Sequence, residues 1–275
     1  MSEFICSDKT LLPVKVRLSA RAKHPRLSLS YTGELEVVIP KAAARKMGLL
    51  DYRPYPHAVL PPPVTDFLEQ HRPWIDRATK RSKSQRENYL ESMASGLPTH
   101  LDFPLCNEIW QIEYKQTQAK GITVKPDGLR RLQGTRHVFS LKLSGAVIDE
   151  ELCFRALIRF VSLYAKEVIP RFAWEVCREI SATPNSITVN KRKSAWGVCT
   201  RNGDIRIDRR VMFLPRDLAR QVVLHEIAHL KHLNHSQCFY DELFSYGGST
   251  REAEKAVKSA IQFVPAWFIS SYNRD

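Results

Sequence analysis

The sequence has no Cys-x-x-Cys pair, no glycine-rich phosphate loop, and no apolar run near the roughly 20 residues that cross a bilayer. Each absence removes a class of protein. Without paired cysteines, Cys6, Cys106, Cys153, Cys177, Cys199 and Cys238 are expected to be free, packed thiols of a reducing compartment. Without an apolar span, no membrane partner is expected. The opening MSEFICSDKT carries Glu3 and nothing resembling a signal peptide, so the expected location is the cytoplasm. No internal repeat is present, and low complexity is confined to one proline-rich stretch. Acidic residues are also scarce, 29 against 42 Lys+Arg, which leaves +13 across 275 residues. Such a surplus favours acidic partners such as nucleic acid or nucleotides, without choosing among them. Hydrophobic residues at 43% and charged residues at 26% are ordinary globular usage, which excludes disorder, collagen and coiled coil.

Residues 14–39 read as strands. Arg26 to Ser30 alternates, Glu34 to Ile39 is rich in β-branched residues, and Thr32–Gly33 supplies a turn. A short helix is expected from Lys41 to Met47, ending at Gly48. The following DYRPYPHAVLPPPVT holds five prolines between Arg53 and Val64 and reads as a semi-rigid connector without regular structure. From Val64 to Ala78 the apolar spacing is helical, with Pro73 kinking or restarting the helix. The basic RATKRSKSQR then reads as a solvated helix end or linker. Residues 101–143 read as a β-meander, with a turn at Asp127–Gly128. From about Asp149 the pattern is helical, with Pro170 opening a second helix. Short strands at Ile187–Val189 and Ile205–Ile207 follow, joined through SAWGVCTRNGD.

The sharpest signal is LPRDLARQVVLHEIAHLKHLNHSQCFYDEL, which contains His225-Glu226-Ile227-Ala228-His229. On a helix, residues four apart share a face about 6 Å apart along the axis, so two imidazoles can grip one metal ion. Glu226 points roughly a hundred degrees away and is free to act on a metal-bound water. Chance gives roughly 0.02 such matches in a chain of this composition. Four of the nine histidines fall between positions 225 and 235.

A catalytic zinc needs three protein ligands and one open position. His232 would lie about 10.5 Å along the axis from His225, too far for one tetrahedral ion. His235 is the better third ligand, because Asn234 can take the left-handed conformation that ends a helix and turns the chain back. His232 then reads as a polar helix face or an outer partner of the site. Cys199 would close the site as a fourth ligand and reads as a packed cysteine.

Trp196-Gly197-x-Cys199, the strand GDIRID, FLP, HEIAHL, NHS and Phe239 together resemble the YgjP-like metallopeptidase family, a zincin-type group related to the SprT and WLM metallopeptidases. Val198, Ala195 and Gln221 depart from that family's usual residues without touching a ligand or the base. The resemblance implies His225, His229 and His235 as ligands of one Zn²⁺ per chain and Glu226 as the catalytic residue.

The expected architecture is α+β. Residues 1–95 form an N-terminal β-rich lobe with the proline-rich connector and a helix, 96–147 the meander, and 148–275 a zincin-like catalytic domain carrying the HExxH helix. The expected function is a zinc-dependent peptidase in which Glu226 is the general base toward a metal-activated water. His232, Tyr240, Tyr246 or a nearby arginine would steady the oxyanion, and the strand Ile205–Ile207 would be the sheet edge where a peptide pairs. Two alternatives keep the metal. One is nucleoside triphosphate pyrophosphohydrolysis, with Lys191, Arg192, Lys193, Arg206, Arg209 and Arg210 facing phosphates. The other is a DNA-associated protease of SprT type. A polypeptide is the expected partner, and the sequence leaves the oligomeric state open.

Overall fold

The computed structural model describes residues 3–30, 33–50, 59–80, 83, 87, 96–192, 195–248 and 251–270. The chain divides into two compact units, Met1–Glu91 and Ser92–Asp275. Its class is mixed α+β, as the alternation of strand and helix patterns implies. Among the described residues, no helix is long and apolar enough to cross a membrane.

The first unit holds a sheet in the order β1-β2-β4-β3, from β1 (Glu3–Ile5), β2 (Leu11–Ser19), β3 (Arg26–Leu29) and β4 (Leu35–Pro40). β2 and β4 run parallel, and the other pairs are antiparallel. Leu35, Val37, Val38 and Ile39 are all buried, so the continuous apolar run marks a central strand covered on both faces. Helix α1 (Lys41–Lys46) follows at once, and Gly48 makes its exit at φ +67, a conformation that favours glycine.

The proline-rich stretch is not wholly irregular. Helix α2 (Pro62–Gln70) starts inside it, with Pro61 as N-cap. A proline in the first turn sacrifices only an N–H that has no helical partner anyway. Residues 51–58 of the connector lie outside the described residues. At Pro73 the helix restarts: α2 ends at His71, and the second helix, α3 (residues 72–80), receives its first bonds as Trp74 and Ile75 N–H donate to the His71 carbonyl. Val64, Leu68 and Ile75 from these helices join Phe4, Leu12 and Leu35 in one core. Residues 77–80 of the basic stretch are helical, and most of its remainder lies outside the described residues.

In the second unit, residues 101–143 do not form a meander. The strands β5 (His100–Phe103), β6 (Glu108–Gln116), β7 (Ile122–Gln133) and β8 (Arg136–Gly145) take the order β5-β6-β8-β7, with β6 and β8 parallel. Burial decides the order. β8 carries Val138, Leu141 and Leu143 into the core and stacks Phe139 on Trp110, whereas Lys125 to Gly128 on β7 are exposed and suit an edge. The segments 96–147 and 148–275 share this unit, with Phe103 packed on both Tyr164 and Phe213.

Helix α4 (Glu150–Glu179) is one element of 30 residues, not two, and Pro170 lies inside it. Asp149 caps it, accepting from Leu152 N–H at 3.1 Å. Pro170 removes one helical bond, but Leu157, Val161, Ala165, Ile169, Phe172 and Val176 continue a single buried stripe across the break. Tertiary burial outweighs the lost bond. Beyond α4 lies a three-stranded sheet in the order β10-β11-β9, from β9 (Ser186–Asn190), β10 (Gly197–Cys199) and β11 (Asp204–Asp208). The short helices α5 (Arg216–Ala228), α6 (Gln237–Ser245), α7 (Arg251–Ser259) and α8 (Ala266–Ser270) complete the unit.

Candidate metal centre

Helix α5 begins after Pro215, places Asp217 in its first turn, and buries Ala219, Val222, Val223, Leu224 and Ile227. That apolar packing fixes the face presented by His225 and by His229, which caps the helix at φ −67, ψ −14. The helix therefore ends at His229 and does not run on to Asn234. Asn234 is absent from the non-glycine residues of positive φ, which among those described are Lys9, Asn107 and Ser181. The turn back is made by residues 230–235 as a group, and α6 begins directly after them, with Ser236 as N-cap.

His225, His229 and His235 come together, each with a ring nitrogen within 4.8 Å of the others. Nε2 of His235 and Nε2 of His225 lie 3.1 Å apart. Two imidazole nitrogens on one tetrahedral zinc, each about 2.0–2.1 Å from it, are separated by about 3.3 Å, so the His225–His235 pair already has the spacing that ion imposes. The protonation state fits as well. Burial, then the neighbouring His229 and His235, push His225 down to about 4, and burial also lowers His229. Nδ1 of His229 is 2.9 Å from the His232 carbonyl, and a carbonyl only accepts. The proton therefore sits on Nδ1, and Nε2 keeps its lone pair for a ligand. Phe239 of α6 lies against all three rings, with centroids 5.0, 4.6 and 4.8 Å from His225, His229 and His235.

Glu226 is the buried member of the group, 6% exposed. Burial pushes its carboxyl up to about 7, while the Arg192 charge and the Cys199 backbone N–H pull it back. It rests against Gly197 of β10, where a Cβ would lie 2.7 Å from its Oε1. The histidines and Glu226 open onto a cavity of about 690 Å³. Its other walls are Trp196 to Cys199, Leu233, Tyr240 and Leu243, and the α7 face with Glu254, Val257 and Lys258. Trp196 ties two of these walls together, as its indole N–H donates to the Val257 carbonyl at 3.1 Å.

The family profile described as "YgjP-like, metallopeptidase domain" matches residues 55–260. The chain belongs to this family. Among solved structures, the YgjP-like chain is similar to the metallopeptidase zymogen abylysin of Pyrococcus abyssi, at 18% identity and a TM-score of 0.30. That match covers 34% of this chain and 91% of the abylysin chain. A comparison with curated proteins finds no match.

In this YgjP-like domain the remaining sequence candidates disperse. Tyr240 lines the cavity, and burial together with Glu254 raises its phenol. The His232 ring lies 3.8 Å from Glu242, so this residue meets the centre through its carbonyl and not through its imidazole. Lys191 and Arg206 are exposed and, like Arg192, are not cavity walls. Arg192 is held by its backbone, its N–H donating to Asp208 Oδ2 at 2.6 Å. Lys193 lies outside the described residues. Arg209 and Arg210 are not available to phosphates. Arg210 is buried against Asp208 at 2.7 Å and donates to the Arg192 and Ala195 carbonyls, while Arg209 bonds the Ser162 hydroxyl. Cys199 stays outside the metal-facing group, and burial, Glu226 and Asp204 raise its thiol. All six cysteines are free, but Cys238 is exposed and not packed.

The strand Ile205–Ile207 is the middle of its sheet, paired on both sides, and cannot accept a peptide. Of the two edges, β9 and β10, the one on the cavity is β10, inside the segment expected to be a connector. Its three residues are too short to show a strand periodicity, although the motif containing them was visible. The walls supplied by Leu243, Glu254 and Lys258 carried no separate sequence signal.

Proposed function

We propose that this YgjP-like chain is a zinc-dependent peptidase. The observation that carries the reading is three converging imidazoles beside a buried carboxylate on the wall of one open cavity. His225, His229 and His235 would hold the ion through nitrogen lone pairs, leaving one position open. When bound, zinc would lower the pKa of a coordinated water to about 7 and polarise a carbonyl.

The protein's own groups do the rest. Glu226 accepts a proton from the attacking water and delivers it to the leaving amine. Gly197 and the Cys199 N–H hold that carboxylate in place. Edge strand β10 offers backbone groups to an extended substrate, the usual mode of strand addition. Tyr240, on the facing wall, is the candidate donor to the oxyanion. A phosphohydrolase reading loses support because Arg209 and Arg210 are engaged inside the protein, and because three imidazoles suit zinc better than the Mg²⁺ of phosphoanhydride chemistry.

The test is zinc content together with cleavage of casein, of UTP and of a protein tethered to DNA, for wild type and Glu226→Gln. The expected result is equal zinc in both proteins, with casein cleavage lowered about 10²–10⁴-fold in the variant. Cleavage at the wild-type rate by Glu226→Gln would remove the general base. Hydrolysis of UTP alone would replace the peptidase reading, and cleavage only of the tethered protein would select the DNA-associated form.

A further inference from the structure

The centre is closed by a loop, and what fixes that loop is not among the three histidines. Residues 230–235 leave helix α5 at His229 and enter α6 at Ser236. They perform two tasks within six residues. The His232 carbonyl holds His229 Nδ1–H at 2.9 Å, and His235 is carried to within 3.1 Å of His225. A loop of this kind has no intrinsic reason to hold both positions at once. Two of its side chains meet one carboxylate on α6, and Lys231 also lies 5.7 Å from the centre of the Tyr246 ring. Glu242 Oε1 accepts from Lys231 Nζ at 2.6 Å, and Glu242 Oε2 lies 3.8 Å from His232 Nε2. The Glu242 side chain is 18% exposed, so solvent competes for it far less than for an ordinary surface glutamate. The same helix sets Phe239 against all three imidazoles.

We infer that Glu242 is a positioning residue for the metal centre: by bonding Lys231 from α6, with the His232 ring alongside, it holds the 230–235 loop in the shape that orients His229 and His235. This rests on the zinc reading above. Outer partners that orient ligands typically change metal affinity without supplying a ligand themselves. Glu242 touches neither the ion's position nor the cavity wall. Its effect reaches the centre only through the loop.

The experiment measures zinc affinity by competition with a chromogenic chelator, and the visible absorption of the Co²⁺-substituted protein, for wild type, Glu242→Ala, Glu242→Gln and Lys231→Ala. Glu242→Ala is expected to weaken zinc binding about 10–100-fold and to alter the Co²⁺ bands, while the metal-free proteins unfold alike. Glu242→Gln keeps an oxygen for Lys231 and should fall between. Zinc affinity within about twofold of wild type, with unchanged Co²⁺ bands, in Glu242→Ala overturns the inference. Should Glu242→Ala not fold, Lys231→Ala removes the same contact from the exposed side, and its weakened or unchanged affinity decides. Wild-type protein that binds no stoichiometric zinc overturns the metal reading itself, an outcome the variants cannot imitate.

Discussion

Gly197 and Glu226 occupy one another's space: a Cβ on the glycine would lie 2.7 Å from both Cγ and Oε1 of the glutamate. No packed side chain accepts such a contact. Gly197 sits on the three-residue edge strand β10, whose pairing with Ile207 fixes its distance from α5. The carboxylate of Glu226 is thereby clamped between a backbone that cannot retreat and a helix packed from behind. For Gly197→Ala the carboxylate must move. Hydrolysis of casein is expected to fall about 100-fold with zinc content near wild type, and the unfolding free energy to fall by about 1–3 kcal/mol as the crowded site shifts. Full activity in this variant would show that the placement of Glu226 does not matter.

The two outer histidines separate cleanly. His235→Ala removes a nitrogen from the trio, whereas His232→Ala leaves the backbone carbonyl that holds His229 Nδ1. After dialysis against chelator, the first variant is expected to retain no stoichiometric zinc, and the second to retain most of it. The reverse pattern would make His232 the ligand.

Asp208 and Arg210 form a buried pair with side chains 0% and 8% exposed. The aspartate also receives the backbone N–H groups of Arg192 and Arg210, and the arginine spans Trp196 at 4.9 Å. Replacing Arg210 by methionine strands the carboxylate in the interior. The expected cost is about 3–5 kcal/mol, read as a fall in unfolding free energy in urea. The double change Asp208→Asn, Arg210→Met should cost less than the two single changes added together. Strict additivity would mean the pair is not coupled.

Asp204 closes the turn between β10 and β11. It accepts from Ser186 at 2.6 Å and from Asn185 at 3.3 Å, and these bonds, with that of Thr200, hold its carboxyl below the usual value. A depressed carboxylate pKa favours the native state at pH above the unfolded value of about 3.9, and the benefit is lost as pH falls through the folded value. Stability measured against pH should therefore drop on the acid side in wild type. In Asp204→Asn that acid limb should be shallower. An identical limb in both proteins would assign the acid sensitivity elsewhere.

The sequence alone placed His225, Glu226 and His229, because helical spacing is a local property and three residues on one turn need no distant partner. The same holds for β4, for α1 with its exit at Gly48, and for the family motif around Trp196. Other features depended on contacts that no local pattern encodes. Pro170 was absorbed into one long helix because the buried stripe continues past it. β8 displaced β7 from its sequence neighbour β6 because its apolar residues gain more from a central place. The end of α5 at His229, the return of His235, and the grip of Glu242 on the loop were set by α6 docking against the histidines. The place of β10 at the cavity-side edge was set in the same non-local way, when β11 paired with β10 on one side and β9 on the other. Spacing along a helix follows from the chain itself, whereas the closing of a site follows from which surfaces find each other once the chain has folded.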